Sequence, residues 1–416
     1  MAEVTPLQVE LLHLQDYHPC GLANALKQIP HIQIDVYEAA AKFSERGGAV
    51  ELSTNALQAL AEIFPAGGKD DLLKRAGAVS INSSRSIVGL GPHAGKIIFD
   101  AVSTESEMIV HRASLLSELV APLPRDLLHT NKKLASIAPV PATHRVAVNF
   151  EDGTSDEFDG VIGSDDVHSL ARLYMLQSEA DKYAATPAGF WDCWVLVPMG
   201  KAQAVLGKDL FKVNRQCGYV GDGAFLMHDV LDDRKVVQCV ISAVDHLTTH
   251  DRKCPLNKET LTKTLRNWPD GPIAKGMIQL EHKETPHYWN GAGCLMGDAA
   301  HAMTPWQGSG AEMAFEDVMI MQELFSHVRS PTQIGAAFKA FDSLRRPRRQ
   351  GVIDSSRETG IILCRENEEA GLDPEKLASI LSTKWNFIAG IDMKTHKTEA
   401  VIKLKEYLDA IGPAEV

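Results

Sequence analysis

The segment from Pro6 to Glu38 constrains the fold more than any other. Pro6–Leu14 reads as a strand, Gly21–Ile29 as a helix with Leu22, Ala25, Leu26 and Ile29 on one face, and Ile32–Tyr37 as a second strand that ends at Glu38. A strand, a helix, a strand and then an acid form the outline of a dinucleotide-binding unit, whose carboxylate bonds a ribose hydroxyl. Registered on Ala23 and Leu26, the three glycines of such a unit's phosphate turn fall at Leu14, Asp16 and Pro19. Glycine there makes the tight turn, lets the backbone approach a pyrophosphate, and lets helix and strand pack closely. Leu14 adds bulk, Pro19 removes an N–H donor, and Asp16 sets a negative charge against a phosphate. One like-charge contact at about 4 Å costs on the order of 1 kcal/mol in water and about 4 kcal/mol at an effective dielectric of 20. The outline therefore predicts a nucleotide-binding fold, while the turn argues against the nucleotide.

At 416 residues the chain suits two interleaved domains. A net charge of −12 argues against a nucleic-acid surface. The dense basic run Arg345–Arg349 reads as a helix-end cluster pairing with acidic neighbours. Seven cysteines without a Cys-x-x-Cys pair predict neither a disulfide framework nor a zinc site. The start Met1-Ala2-Glu3-Val4-Thr5-Pro6 lacks the pattern of a signal peptide, and no apolar run approaches the roughly 18 residues of a membrane span. A cytoplasmic protein is the expectation, with no metal.

Further motifs follow in order. They are Gly47-Gly48-Ala49, Thr54-Asn55-Ala56-Leu57, His111-Arg112-Ala113-Ser114, Asp159-Gly160-Val161-Ile162-Gly163-Ser164-Asp165-Asp166, and the long block Gly297–Asp317 (Gly-Asp-Ala-Ala-His-Ala-Met-Thr-Pro-Trp-Gln-Gly-Ser-Gly-Ala-Glu-Met-Ala-Phe-Glu-Asp). In this order they resemble the group A FAD-dependent monooxygenases of the salicylate and para-hydroxybenzoate hydroxylase type, over roughly residues 6–360. The resemblance implies an α/β fold in which a Rossmann-like domain (1–79, 96–182, 286–365) interleaves with a mixed-sheet substrate domain (80–95, 183–285). Residues 366–416 read as a polar helical segment. For FAD, the resemblance implies Glu38, Gly48, Ala49, Arg112, Asp298, Gly310 and Ala311 as binding residues, with Pro305 and Gly308–Gly310 facing the isoalloxazine.

Two more departures from that family bear on function. Asp165-Asp166 stands where the family has Asp-Gly, adding a carboxylate. In phenol-hydroxylating relatives an Arg and a Tyr on neighbouring strands hold a phenolate; the matching positions here are Trp194 and His228. Losses at three places lead to the expectation of an enzyme that requires no cofactor. A pocket vacated by flavin, ringed by Trp191, Trp194, His228, Trp306 and His301, would cyclise or isomerise a small hydrophobic metabolite, for example by an intramolecular [4+2] cycloaddition. Trp194, His228 and Trp306 are its candidate catalytic residues, and holding reacting ends together contributes roughly 7–11 kcal/mol at most. The alternative is an FAD- and NAD(P)H-dependent hydroxylase, and a third reading is a non-catalytic binding protein.

Overall fold

The structure is a computed structural model and describes residues 6–13, 17–44, 48–244, 253–254, 265, 276–364 and 366–411. The N-terminal unit folds as its pattern requires. Strands β1 (Leu7–His13) and β2 (Ile32–Glu38) pair in parallel, with Val9 beside Ile34 and His13 beside Glu38. Helix α1 (His18–Leu26) joins them. It starts at His18 rather than Gly21 because Pro19 falls in its first turn, where a missing N–H removes no helical bond.

The remaining strands are β3 (Ala49–Leu52), β4 (Val79–Val88), β5 (Ile97–His111), β6 (Leu128–His129), β7 (Leu134–Pro139), β8 (Val146–Phe150), β9 (Ser155–Phe158), β10 (Gly160–Ser164), β11 (Thr186–Pro198), β12 (Gln216–Val220), β13 (Ala224–Leu231), β14 (Val236–Val244), β15 (Lys253–Cys254), β16 (Gly276–Glu281), β17 (Trp289–Asn290) and β18 (Gly293–Leu295). The helices that matter below are α2 (Thr54–Ile63), α3 (Arg112–Val120), α4 (Gly297–His301), α5 (Gly310–His327), α6 (Pro331–Leu363) and α7 (Met393–Ile411).

A Rossmann-like sheet runs β17-β18-β10-β1-β2-β6, and a mixed sheet runs β15-β16-β11-β14-β13-β12-β4-β5-β3. The ribbon β7-β8-β9 packs on the first sheet, where Tyr37 stacks on Phe150 at 4.9 Å. The fold is thus the expected Rossmann-like α/β class with an interleaved mixed sheet. Its seam differs from the sequence reading, which left 49–52 and 97–111 with the Rossmann-like part. The long strand β5 pairs with β4 through Ser86–Phe99 and with β3 through Val50–Val110, so both join the mixed sheet. Pairing satisfies their backbone groups only in that sheet. The C-terminal segment is helical, at 374–381, 386–389 and 393–411. Among the described residues no helix is long and apolar enough to cross a membrane.

The basic run lies in the middle of α6, not at a helix end. Arg345 and Arg349 are wholly buried. Arg345 Nε and Nη1 donate to Asp317 Oδ1 at 2.8 Å and Glu316 Oε2 at 2.7 Å. Arg348 Nη2 donates to Glu316 Oε1 at 2.6 Å and to the Ile388 carbonyl at 2.9 Å. Arg349 Nε donates to Asp317 Oδ1 at 3.0 Å, and its Nη1 lies 2.6 Å from His301 Nδ1. Pairing with acids was legible in the sequence; burial was not.

Burial alone would raise Asp317 and Glu316, but Arg349 and Arg345 on the former, and Arg345 and Arg348 on the latter, hold both carboxyls below their ordinary range. Burial, then Arg349, pushes His301 down to about 3, so its imidazole is neutral. All three groups bind protons more readily in the unfolded chain, so their stabilisation is present near neutrality and is lost as pH falls. Arg349→Met leaves Asp317 half compensated and should destabilise by about 3–5 kcal/mol. Urea unfolding at several pH values checks this. The variant should also show a flatter loss of stability below about pH 5. An unchanged midpoint would show that the lattice contributes nothing.

Candidate active site

The residues expected to hold a cofactor sit at the ends of the elements that would present them. Glu38 closes β2, its side chain wholly buried, and its Oε1 accepts the Ala40 N–H at 2.6 Å. Arg112 opens α3. Its N–H donates to the Gly48 carbonyl at 3.1 Å, and its guanidinium lies 5.6 Å over the Tyr17 ring, at the start of α1. Tyr17 in turn stacks on Phe315 of α5 at 5.8 Å. A cavity of about 380 Å³ opens between Phe43, just past Glu38, and Ala113 and Val120 of α3. Asp298 lies in the first turn of α4.

Gly310 and Ala311 open α5, which presents unpaired N–H groups and the positive end of a long dipole. Gly308, before it, has φ +67°, a left-handed conformation that glycine adopts without strain. A Cβ at Gly310 would meet nothing within 4 Å. The helix thus begins against open space.

The mixed sheet closes over this terminus. Gly48 has no room for a side chain, since a Cβ there would collide with the Gln238 carboxamide and approach Trp194 Cδ1 to 3.4 Å. Gln238 Oε1 also accepts the Ala49 N–H at 2.6 Å. Trp194 is therefore brought beside the Gly48-Ala49 segment. Trp306 lies on the same sheet face, edge-on to Phe190 at 5.0 Å. It is 8% exposed, and a Cβ at Gly360 of α6 would collide with its indole, so it works as a packing wedge.

His228 is not with them. Cross-strand pairing puts Trp194, Val240 and Met227 in one row and His228 in the next, beside Cys239. Successive residues of a strand face opposite sides, so His228 packs on the far face against Phe211 and Tyr219, at ring distances of 5.5 and 6.0 Å. Burial lowers it to about 4. A one-residue slip in reading the strand changes the face entirely. Trp191 is likewise on the far face, with Ala224 and Ala243, and His301 belongs to the arginine lattice. Among the residues of β13 that do face Trp194's side are Phe225, Met227 and Asp229. Neither Asp229 nor Glu51, an acid within the otherwise apolar Ala49–Leu52 run, figured in the sequence reading. An acid in an apolar strand was the available signal.

The departure in the Asp165-Asp166 motif has a local explanation. Asp165 accepts the Leu170 and Ala171 N–H groups at 2.6 and 3.0 Å, as a helix cap. Asp166 takes φ +65°, the conformation for which glycine is suited, and accepts the Val167 N–H at 2.7 Å. Leu14, Asp16 and Gly47 lie outside the described residues.

A family model described as FAD binding domain matches residues 232–356. The chain is 30% identical over 405 residues to the 6-methylsalicylate 1-monooxygenase atA of Aspergillus terreus, covering 92% of this chain and 89% of that one. It is 28% identical over 381 residues to the FAD-dependent monooxygenase eupB of a Phoma species, covering 79% and 82%. Among solved structures it superposes on a salicylate hydroxylase substrate complex with a TM-score of 0.80 at 22% identity, covering 95% and 98%. These matches overturn the expectation that no cofactor is required, because they point to FAD. Pro19 lies in the first turn of α1, where its missing N–H costs the helix no bond and removes one donor from the helix terminus.

The Trp306 wedge is open to test. Gly360→Ala must displace the indole or the helix and should destabilise by about 1–3 kcal/mol, as overpacking does. Thermal denaturation followed by tryptophan fluorescence reads both effects. A variant as stable as the parent would mean that the wedge yields without strain.

Proposed function

The chain belongs to the group A FAD-dependent monooxygenase family, and on that premise we propose that it hydroxylates a small aromatic molecule, with FAD as cofactor and a reduced nicotinamide as electron donor. What carries the reading is the alignment of nearly the whole chain with a relative named as a monooxygenase of 6-methylsalicylate. The open N-terminus of α5 supports it from the geometry. The cofactor-free cyclisation expected from the sequence falls with its premise.

In this reading Glu38 accepts from ribose hydroxyls, and Arg112, beside the start of α1, sets a positive charge toward the pyrophosphate. Asp298 bonds the ribityl chain, and the N–H groups of Gly310 and Ala311 meet the flavin ring. Bound FAD supplies the reduction of dioxygen, which no side chain of the protein can perform. Trp194 and the mixed sheet hold the aromatic ring and exclude water from the reacting face. Gly48 and Gln238 set the distance between this sheet and the cofactor motifs.

The purified protein, reconstituted with FAD and passed through gel filtration, should retain the flavin absorption bands. Asp298→Ala should weaken FAD binding about 10- to 100-fold, the loss of one hydrogen bond worth about 1.5–3 kcal/mol. Titration by flavin fluorescence measures it. Wild-type protein that retains no FAD defeats the reading, and an Asp298→Ala variant with unchanged affinity removes that residue from the cofactor.

A further inference from the structure

The mixed-sheet wall that faces α5 carries buried carboxyls. Glu51 of β3, Glu107 of β5, Asp229 of β13 and Glu312 of α5 act on one another electrostatically. Glu51 hydrogen-bonds Glu107. Its Oε2 lies 3.6 Å from where a Cβ at Gly308 would stand and 3.5 Å from Gln216 Nε2. Gln216 and Gln238 both bond Asp229, and Gln238 reaches the Gly48-Ala49 segment beside Trp194. The wall is therefore continuous from Trp194 to the Gly308 turn.

Three observations say that this wall awaits a partner. Glu51 lies deep in the protein yet keeps a partly accessible side chain, so it borders an internal cleft. Gln216 and Gln238 bond the buried Asp229, and Ser53 bonds the buried Glu312, but Asp229 Oδ1 and Glu312 Oε1 have no partner among the described residues. Arg348 is the cation that acts on Glu312, and it is already committed to Glu316. Among the described residues no carboxyls converge as metal ligands. Burial, with the neighbouring acids, raises Glu51 and lifts Glu312 to about 7, and burial lifts Asp229 to about 7. Carboxyls raised in this way hold a proton more readily than ordinary ones, and a cation placed beside them lowers them again and restores their charge.

We infer that this cleft receives the ammonium group of an amine-bearing aromatic substrate, with Glu51 and Asp229 as its anionic partners and Trp194 as its aromatic neighbour. The inference rests on the reading of the cleft as the substrate site of a monooxygenase. Buried carboxylates reject an aromatic carboxylate and favour a cation. An indole face adds attraction for the same charge. The position at which the resemblance expects an arginine holds Trp194, so the site has changed its sign as well as its shape.

Three probes with the same phenol ring separate the charges: tyramine (ammonium), tyrosol (hydroxyl) and 4-hydroxyphenylacetate (carboxylate). Calorimetric titration of the FAD-reconstituted protein should give tyramine at least about tenfold tighter than tyrosol, the scale of one charge-assisted bond. 4-Hydroxyphenylacetate should be weakest. Glu51→Gln with Asp229→Asn should bring tyramine within about twofold of tyrosol. The wild-type order decides even where the double variant does not fold. Equal affinities, a reversed order, no binding of any probe, or a preference that survives both substitutions would overturn the inference. A tyramine preference in protein that neither holds FAD nor hydroxylates would keep the inference and defeat the monooxygenase reading. Hydroxylation of 4-hydroxyphenylacetate in preference to tyramine would do the reverse.

Discussion

The buried lattice of Arg345, Arg348 and Arg349 with Glu316 and Asp317 fixes the part of the protein on which the rest depends. Two charged helices, α5 and α6, are clamped side by side within the core. Met313 adds its carbonyl, which accepts from Arg345 Nη2 at 3.1 Å. His301, at the end of α4, closes one side, and the Ile388 carbonyl, reached by Arg348, closes the other. A buried ion pair contributes little net stability against a hydrophobic replacement, but it punishes any arrangement that leaves one partner alone. The lattice therefore acts on position. It fixes where α5 begins and where α4 lies, and these two termini carry the Gly310 N–H groups and Asp298.

Gly48 makes the second fixed joint. Within the mixed sheet, the edge strand β3 is held against β14 there through a contact at Gly48 that tolerates no Cβ and a hydrogen bond from Ala49 to Gln238. Gln238 serves two sides, since it also bonds Asp229. The same carboxamide sets the distance between β3 and β14 and orients an acid of the cleft. Arg112 adds a third link through its N–H to the Gly48 carbonyl. The Gly48-Ala49 segment and the start of α3 are therefore held by the mixed sheet.

Periodic and punctuated features were legible in the sequence. The alternation of β1, α1 and β2, the acid at Glu38 and the Gly297–Asp317 block all lie where their patterns put them. What sequence could not supply was anything set by packing between distant segments. The pairing of Arg345–Arg349 with acids was visible, but their burial depends on α5 lying across α6. β3 and β5 look like Rossmann-like neighbours in chain order and become sheet partners of β4 only in space. His228 illustrates the sharpest limit: a strand shows two faces, and a one-residue slip moves a side chain from the cleft to the opposite side. The phosphate turn misled for another reason. Departures in one turn do not by themselves decide cofactor binding, because Glu38, Arg112, Asp298 and the start of α5 lie on elements outside that turn.

The electrostatic layout of the cleft follows from these joints. The N-terminus of α5 is a positive end, and Glu312 sits within its first turn. Glu51 and Asp229 face it from the mixed sheet, so one side of the cleft offers backbone donors and the other offers carboxyls. A ligand that bridges the two sides must present acceptors to the helix and a proton-rich group to the sheet. A flavin ring edge suits the first requirement. Gly310 and Ala311 would meet such a ring through their N–H groups, which adds no formal charge near Glu51. The second requirement is left to the substrate, and it is the reason that the acids of β3 and β13, rather than the aromatic residues alone, set which molecules the cleft admits.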